Sequence, residues 1–83
     1  MTWRIEIDHR AEREIAKLPD DVLRRVLARV QSLASEPFPH GVKKLKGGGY
    51  RLRVGDYRIL YDTLTAKRLI IIYAVGHRRD VYR

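Results

Sequence analysis

Tyr50-Arg51-Leu52-Arg53-Val54-Gly55-Asp56-Tyr57-Arg58-Ile59-Leu60-Tyr61 is the stretch whose reading decides the fold. Apolar and polar residues alternate on both sides of Gly55-Asp56, the period of a half-buried strand. A glycine-first pair between two such runs reads as a type II′ hairpin turn. With the turn placed there, Val54 faces Tyr57, Arg53 faces Arg58, Leu52 faces Ile59 and Arg51 faces Leu60. Successive side chains point to opposite sides of a sheet, so Tyr50, Leu52, Val54, Tyr57, Ile59 and Tyr61 share one face, and Arg51, Arg53 and Arg58 share the other. The apolar face needs a covering layer. Arg53 opposite Arg58 is an unfavourable pairing, by about 0.2–1 kcal/mol. A sheet face selected for stability alone would not collect three guanidinium groups.

Working outward from the hairpin, a turn near residues 63–67 leads to Arg68–Val75, an almost unbroken apolar run that reads as a central strand buried on both faces. Gly76 interrupts it, and a polar tail runs from His77 to Arg83. On the other side, Trp3, Ile5 and Ile7 alternate with Arg4 and Glu6, a first strand. Asp8 is a good N-cap for a helix over His9–Leu18, with Ala11, Ile15 and Leu18 facing inward. Pro19-Asp20-Asp21 starts a second helix, with acidic residues at the positive end of its dipole. Its apolar stripe is Val22, Leu23, Val26, Leu27, Val30, Leu33 and Ala34, with Arg24, Arg25 and Arg29 mainly outside it. Pro37 and Pro39 end the helical region, and a loop runs through Lys43, Lys44 and Lys46 to Gly47-Gly48-Gly49, which reads as a flexible entry to the next strand. The order β-α-α-β-β-β predicts an α+β fold: one domain, residues 1–83, with a helical hairpin packed on one face of a small, mainly antiparallel sheet.

Eighty-three residues allow one small domain. The absence of cysteine excludes disulfides, thiolate zinc sites and a cysteine nucleophile. No signal-peptide pattern or long apolar run is present, so a soluble cytoplasmic protein with no membrane association is expected. The net charge of +8 is unevenly placed. Residues 1–36 carry seven basic and seven acidic side chains, whereas residues 37–83 carry eleven and three, so the whole excess lies in the second half. Concentrated positive charge points to an anionic partner, nucleic acid above all.

Clustered arginines supply bidentate donors to phosphate oxygens and stabilise charge developing on phosphorus. Arginine is a poor general base because it does not deprotonate. The acid–base candidates are therefore His77 and Tyr82, provided the tail brings them, with Arg78, to the arginine face. RNA carries its own nucleophile, the 2′-OH, so strand cleavage needs alignment, charge stabilisation and proton transfer but no metal. The sequence has no metal-ligand spacing, phosphate-loop pattern or dinucleotide fingerprint, and neither metal nor cofactor is expected. Lys43, Lys44, Lys46 and Arg79 are candidate electrostatic contacts to RNA.

Four stretches in order resemble the RelE/ParE toxin superfamily: Lys44-Leu45-Lys46-Gly47, Tyr50-Arg51-Leu52-Arg53, Gly55-Asp56-Tyr57-Arg58-Ile59-Leu60-Tyr61 and Val75-Gly76-His77-Arg78-Arg79-Asp80-Val81-Tyr82. The resemblance spans essentially the whole chain. In the RelE branch it implies ribosome-dependent mRNA cleavage in the decoding site and a cognate antitoxin that holds the toxin inactive, the complex binding operator DNA through the antitoxin. It further implies phosphate positioning and charge stabilisation by Arg51, Arg53 and Arg58, leaving-group stabilisation or proton donation by Arg78, and stacking or proton transfer by Tyr82. The best-known family pattern has lysines where this chain has Arg51 and Arg53. A lysine base is therefore lost, leaving that role open between His77 and Tyr82. Two alternatives stand beside this one: a ParE-like poison of DNA gyrase with the same fold, and a non-catalytic basic RNA-binding module.

Overall fold

The computed structural model describes residues 2–80. Its elements are β1 (Arg4–Ile7), α1 (His9–Ala16), α2 (Asp20–Ser32), β2 (Lys43–Lys44), β3 (Tyr50–Val54), β4 (Tyr57–Leu64), a 3-10 turn (Thr65–Lys67) and β5 (Leu69–His77). The strands form one mixed sheet in the order β1-β5-β4-β3-β2, in which only β1 and β5 run parallel. The expected α+β architecture is what the chain adopts, with two helices covering one face of the sheet.

The hairpin has the register read from its sequence: Val54 opposite Tyr57, Arg53 opposite Arg58, Leu52 opposite Ile59 and Arg51 opposite Leu60. Gly55 takes a positive φ of +58°, whereas Asp56 does not, which fits type II′ and excludes type I′. Leu52, Val54, Ile59 and Tyr61 join Ala11, Ile15, Val22, Val26, Val30 and Leu33 in the core between sheet and helices. Leu27, expected on the buried stripe of α2, is exposed: the helix lays a narrower stripe of Val22, Val26, Val30 and Leu33 on the sheet. The α1 helix starts at the Asp8 cap, whose carboxylate accepts the Ala11 N–H (3.0 Å), and ends at Ala16, two residues before the expected end. An aromatic chain, Trp3–Phe38–Tyr50–Tyr61, closes one end of this core. Within it the buried Tyr61 hydroxyl donates to the Pro37 carbonyl at 2.7 Å. Burial, helped by Tyr50 and partly offset by Arg29, pushes its pKa up to about 12.

Three other features depart from the sequence reading. Lys43 and Lys44, expected in a loop, form a two-residue edge strand opposite Arg51 and Tyr50. Two residues are too few to show a period, and a short lysine-bearing edge is a common way to discourage further pairing. The glycine run is a closed turn rather than a flexible entry. Leu45 N–H donates to Gly49 O (2.9 Å), and Gly49, at φ +83°, passes so close to the sheet that a Cβ there would lie 3.0 Å from Asp62 Oδ1 and Tyr73 Oη. Finally, β5 continues through Gly76 to His77, with Gly76 opposite Arg58. A glycine inside a strand marks a place where a neighbour needs room. A register shift between Leu60 and Tyr61 lets Leu60 and Ala74 pack together on the face away from the helices, with Leu45 and Tyr73 beside them.

Candidate functional site

The side chain of β3 or β4 that does not enter the helix-facing core points to the opposite face. On that face lie Arg51, Arg53 and Arg58, with Lys43 opposite Arg51 across the β2–β3 pair. Arg53 is exposed and Arg51 half-buried, whereas Arg58 is only 7% exposed. The Arg58 Nη1 donates to the carbonyls of Tyr57 (3.2 Å) and Gly55 (3.4 Å), folding the side chain back along the hairpin tip. An anchored guanidinium loses little conformational freedom when an anion arrives, which is what charge stabilisation in a reaction requires.

Arg78 reaches the same end of the sheet by another route. The β4–β5 pairing runs to Tyr57 opposite His77, and the Arg78 N–H then donates to the Asp56 carbonyl (2.9 Å), tying the end of β5 to the hairpin tip. The approach is braced from the helix layer. Beyond Ile72, β5 no longer pairs with β1, and the buried Val75 N–H instead donates to Glu14 Oε1 of α1 at 2.8 Å. Arg10 Nε donates to the other Glu14 oxygen (3.3 Å).

His77 does not join the arginines, which corrects the sequence expectation. Being opposite Tyr57, it points to the helix side, and its ring meets the Tyr57 ring edge-on with centroids 5.5 Å apart. Its Nδ1 accepts the Arg79 N–H (3.3 Å), and Asp80 N–H donates to its carbonyl (2.8 Å), so His77 organises a turn. Arg79 is an exposed residue of that turn. Lys44 lies opposite Tyr50, and Lys46 lies in the turn before β3; both are exposed. Tyr82 lies outside the described residues.

Two residues that sequence reasoning left aside join this surface. Arg29 of α2 and His40 line a groove with Lys43, Arg51 and Arg53. Nothing in linear spacing connects a residue on the flank of a helix with one in a loop eleven positions later; only the placement of β3 beside them does. Among the described residues no group of three or more His, Cys, Asp or Glu could hold a metal ion, and no helix is long and apolar enough to cross a membrane.

The comparisons with known proteins bear on the family and the fold. Residues 5–82 match the family model described as the ParE toxin of the type II toxin–antitoxin system parDE. A relative from Methanocaldococcus jannaschii that carries the name RelE1 is 31% identical over 88 residues, covering all of this chain and 98% of that protein. The toxin–antitoxin complex RelBE2 from Mycobacterium tuberculosis contains a chain that superposes with TM-score 0.84 at 28% identity, covering 94% of this chain and 100% of that one. A chain of the archaeal RelE–RelB complex from Pyrococcus horikoshii superposes with TM-score 0.81, again at 28% identity, covering 98% of this chain and 100% of that one.

Proposed function

The chain belongs to the RelE/ParE superfamily of toxins of type II toxin–antitoxin systems, and from that premise we propose that it is a ribosome-dependent endoribonuclease that cuts mRNA in the decoding site. The observation that carries this reading is the convergence of Arg51, Arg53 and Arg58 on one sheet face, with Arg78 tied to the hairpin tip beside them. Such a set suits a phosphodiester whose charge grows during reaction. The 2′-oxygen attacks the adjacent phosphorus and its proton passes to a base. The bond from phosphorus to the 5′-oxygen breaks, and that oxygen takes up a proton. The products are a 2′,3′-cyclic phosphate and a 5′-hydroxyl.

In this scheme Arg51 and Arg53 position the phosphate, Arg58 stabilises the charge on phosphorus and Arg78 stabilises the leaving oxygen. Tyr82 moves the proton or stacks on a base, and Lys43, Lys44, Lys46 and Arg79 hold ribosomal RNA. His77, with Nδ1 engaged by Arg79 and its ring against Tyr57, is a positioning residue for the turn that carries Arg78. Single-turnover cleavage separates the two candidates: Tyr82→Phe slows the chemical step by a factor on the order of 10²–10⁴, the usual contribution of a general acid or base. His77→Ala leaves that step within a few-fold. The reverse order would make His77 the base.

A cognate antitoxin is part of the reading. The related structures from Mycobacterium tuberculosis and Pyrococcus horikoshii are toxin–antitoxin complexes, and a basic face is suited to cover by an acidic segment. Operator binding by the complex, through the antitoxin, and a cytoplasmic site of action belong to the same proposal. The match to a ParE family model favours one second reading, a gyrase poison that uses the arginine face for docking. Expression in cells tells them apart: translation arrest supports the ribonuclease, and a DNA-damage response with intact translation supports the gyrase poison.

A further inference from the structure

Between α2, the segment after it and β3 runs an open groove of about 430 Å³, within the size range of small-ligand sites. Arg29 enters it from α2, His40 and Gly41 from the following segment, and Lys43 from β2; Arg51 and Arg53 complete it from β3. No carboxylate is among its lining residues. Four permanent cations in one concavity raise the local positive potential and favour an anion there. The ring of His40 adds an N–H donor in either protonation state.

The lining also selects among anions. Leu52 is its one large apolar residue, and Leu52 is only 2% exposed. The groove therefore displays no large apolar side chain for a peptide segment to pack against. A phosphodiester strand needs no such floor. Arg51 and Arg53 belong both to the groove and to the arginine face, so a strand lying across that face meets a second set of cations without leaving the surface.

We propose that the groove is a second phosphate subsite for single-stranded RNA, in which Arg29, Lys43 and His40 hold a phosphodiester adjacent to the one held on the arginine face. The proposal rests on the RNA-directed reading above; it adds Arg29 and His40, which that reading does not use, and gives Lys43 a phosphate of the bound strand. Its test is equilibrium binding of a fluorescently labelled single-stranded RNA of about ten nucleotides, a typical site size for such surfaces, to the full chain across a range of salt concentrations. A circular dichroism melt confirms that each variant is folded. For Arg29→Gln combined with Lys43→Gln, losing one phosphate contact flattens the plot of log affinity against log salt by about 0.7 and weakens low-salt binding about tenfold. His40→Ala weakens binding several-fold.

Unchanged affinity and parallel salt plots in a folded double variant would overturn the proposal. So would a double variant that binds RNA normally but loses an acidic peptide, since the groove would then be a protein contact. The outcome is separable from the ribonuclease reading. Groove-dependent RNA binding by a protein that never cuts ribosome-bound message would keep the subsite and remove the nuclease. Cutting by a protein whose RNA binding ignores Arg29 and Lys43 would do the opposite.

Discussion

Replacing Arg53 by glutamine should make the protein more stable and less able to bind RNA. Arg53 lies directly opposite Arg58 in the pair after the one that closes the hairpin turn, which makes it a non-hydrogen-bonded pair with its side chains close together. Like charges so placed destabilise a sheet by about 0.2–1 kcal/mol. Arg58 is only 7% exposed but Arg53 is exposed, so water partly screens the pair and the full range applies. For a domain of this size, 1 kcal/mol moves the melting temperature by about 4–8 °C, so Arg53→Gln is expected to raise it by about 1–8 °C at low salt. The gain should vanish near 1 M salt, where the screening length falls to about 3 Å. Thermal melts of wild type and variant at low and high salt measure both quantities, and RNA binding measures the price in function. A melting temperature that stays level or falls at low salt would refute the reasoning, as would a gain that persists at high salt. The arginines would then be ordinary members of a stable face, and their convergence would carry no functional weight.

Further outcomes follow from single contacts. Gly49→Ala should destabilise the fold by about 2–4 kcal/mol, from strain at positive φ together with crowding against Asp62, Tyr73 and the Tyr61 carbonyl. Gly48→Ala, at φ +104° with nothing within 4 Å, bears the strain alone, about 1–2 kcal/mol. Urea titrations that found the two equal would remove the close approach from the account. Glu14→Ala leaves the buried Val75 N–H without its acceptor and should cost about 1–3 kcal/mol, whereas Glu14→Gln, which can still accept, costs less; chemical denaturation ranks them. The Tyr61 hydroxyl ionises near pH 10 in the unfolded chain and near 12 in the folded one, so folding favours its protonated form. That stability is fully present below pH 10 and is lost as pH rises toward 12, by up to about 2–3 kcal/mol. Tyr61→Phe should therefore flatten the alkaline slope in pH-dependent melts, and an unchanged slope would show that another group sets it.

The parts of the fold that the sequence disclosed were those with a strong local period and a turn to anchor it. Gly55-Asp56 fixes the hairpin, and the alternation on either side fixes which residues face the helices, so the arginine face follows from the chain alone. The parts it concealed depend on what lies across the sheet. Lys43-Lys44 becomes a strand only because Tyr50 and Arg51 are beside it. Gly76 looks like an interruption until Arg58 is seen opposite it. His77 illustrates the same limit in the candidate site. A polar tail can turn either way in a linear reading, but two more residues of pairing place His77 against Tyr57 and away from the arginines. Arg29 and His40 carry no mutual signal in sequence because they sit on different elements, and only β3 brings them to one groove.

These placements divide the basic surface into a buried part and an open one. Arg58 is buried and anchored, as the proposed charge stabilisation requires, while Arg51 and Arg53 are more open, as the proposed phosphate entry requires. Glu14 and the His77 turn hold the end of β5 from the helix side, keeping Arg78 beside the hairpin tip. The tail is thus tied to the hairpin by a main-chain hydrogen bond and to the helix by the Glu14 carboxylate, a favourable arrangement for a preorganised site.

Primer extension on an mRNA translated in vitro, with wild-type protein and with Arg58→Ala, tests the central claim most directly. Wild type is expected to cut within the codon in the decoding site and to leave naked RNA intact. For folded Arg58→Ala, cleavage is expected to slow by roughly 10²–10³, the usual effect of removing one charge-stabilising donor. Intact message in a translating system containing folded wild-type protein, or equal cutting by the Arg58→Ala variant, would contradict that claim.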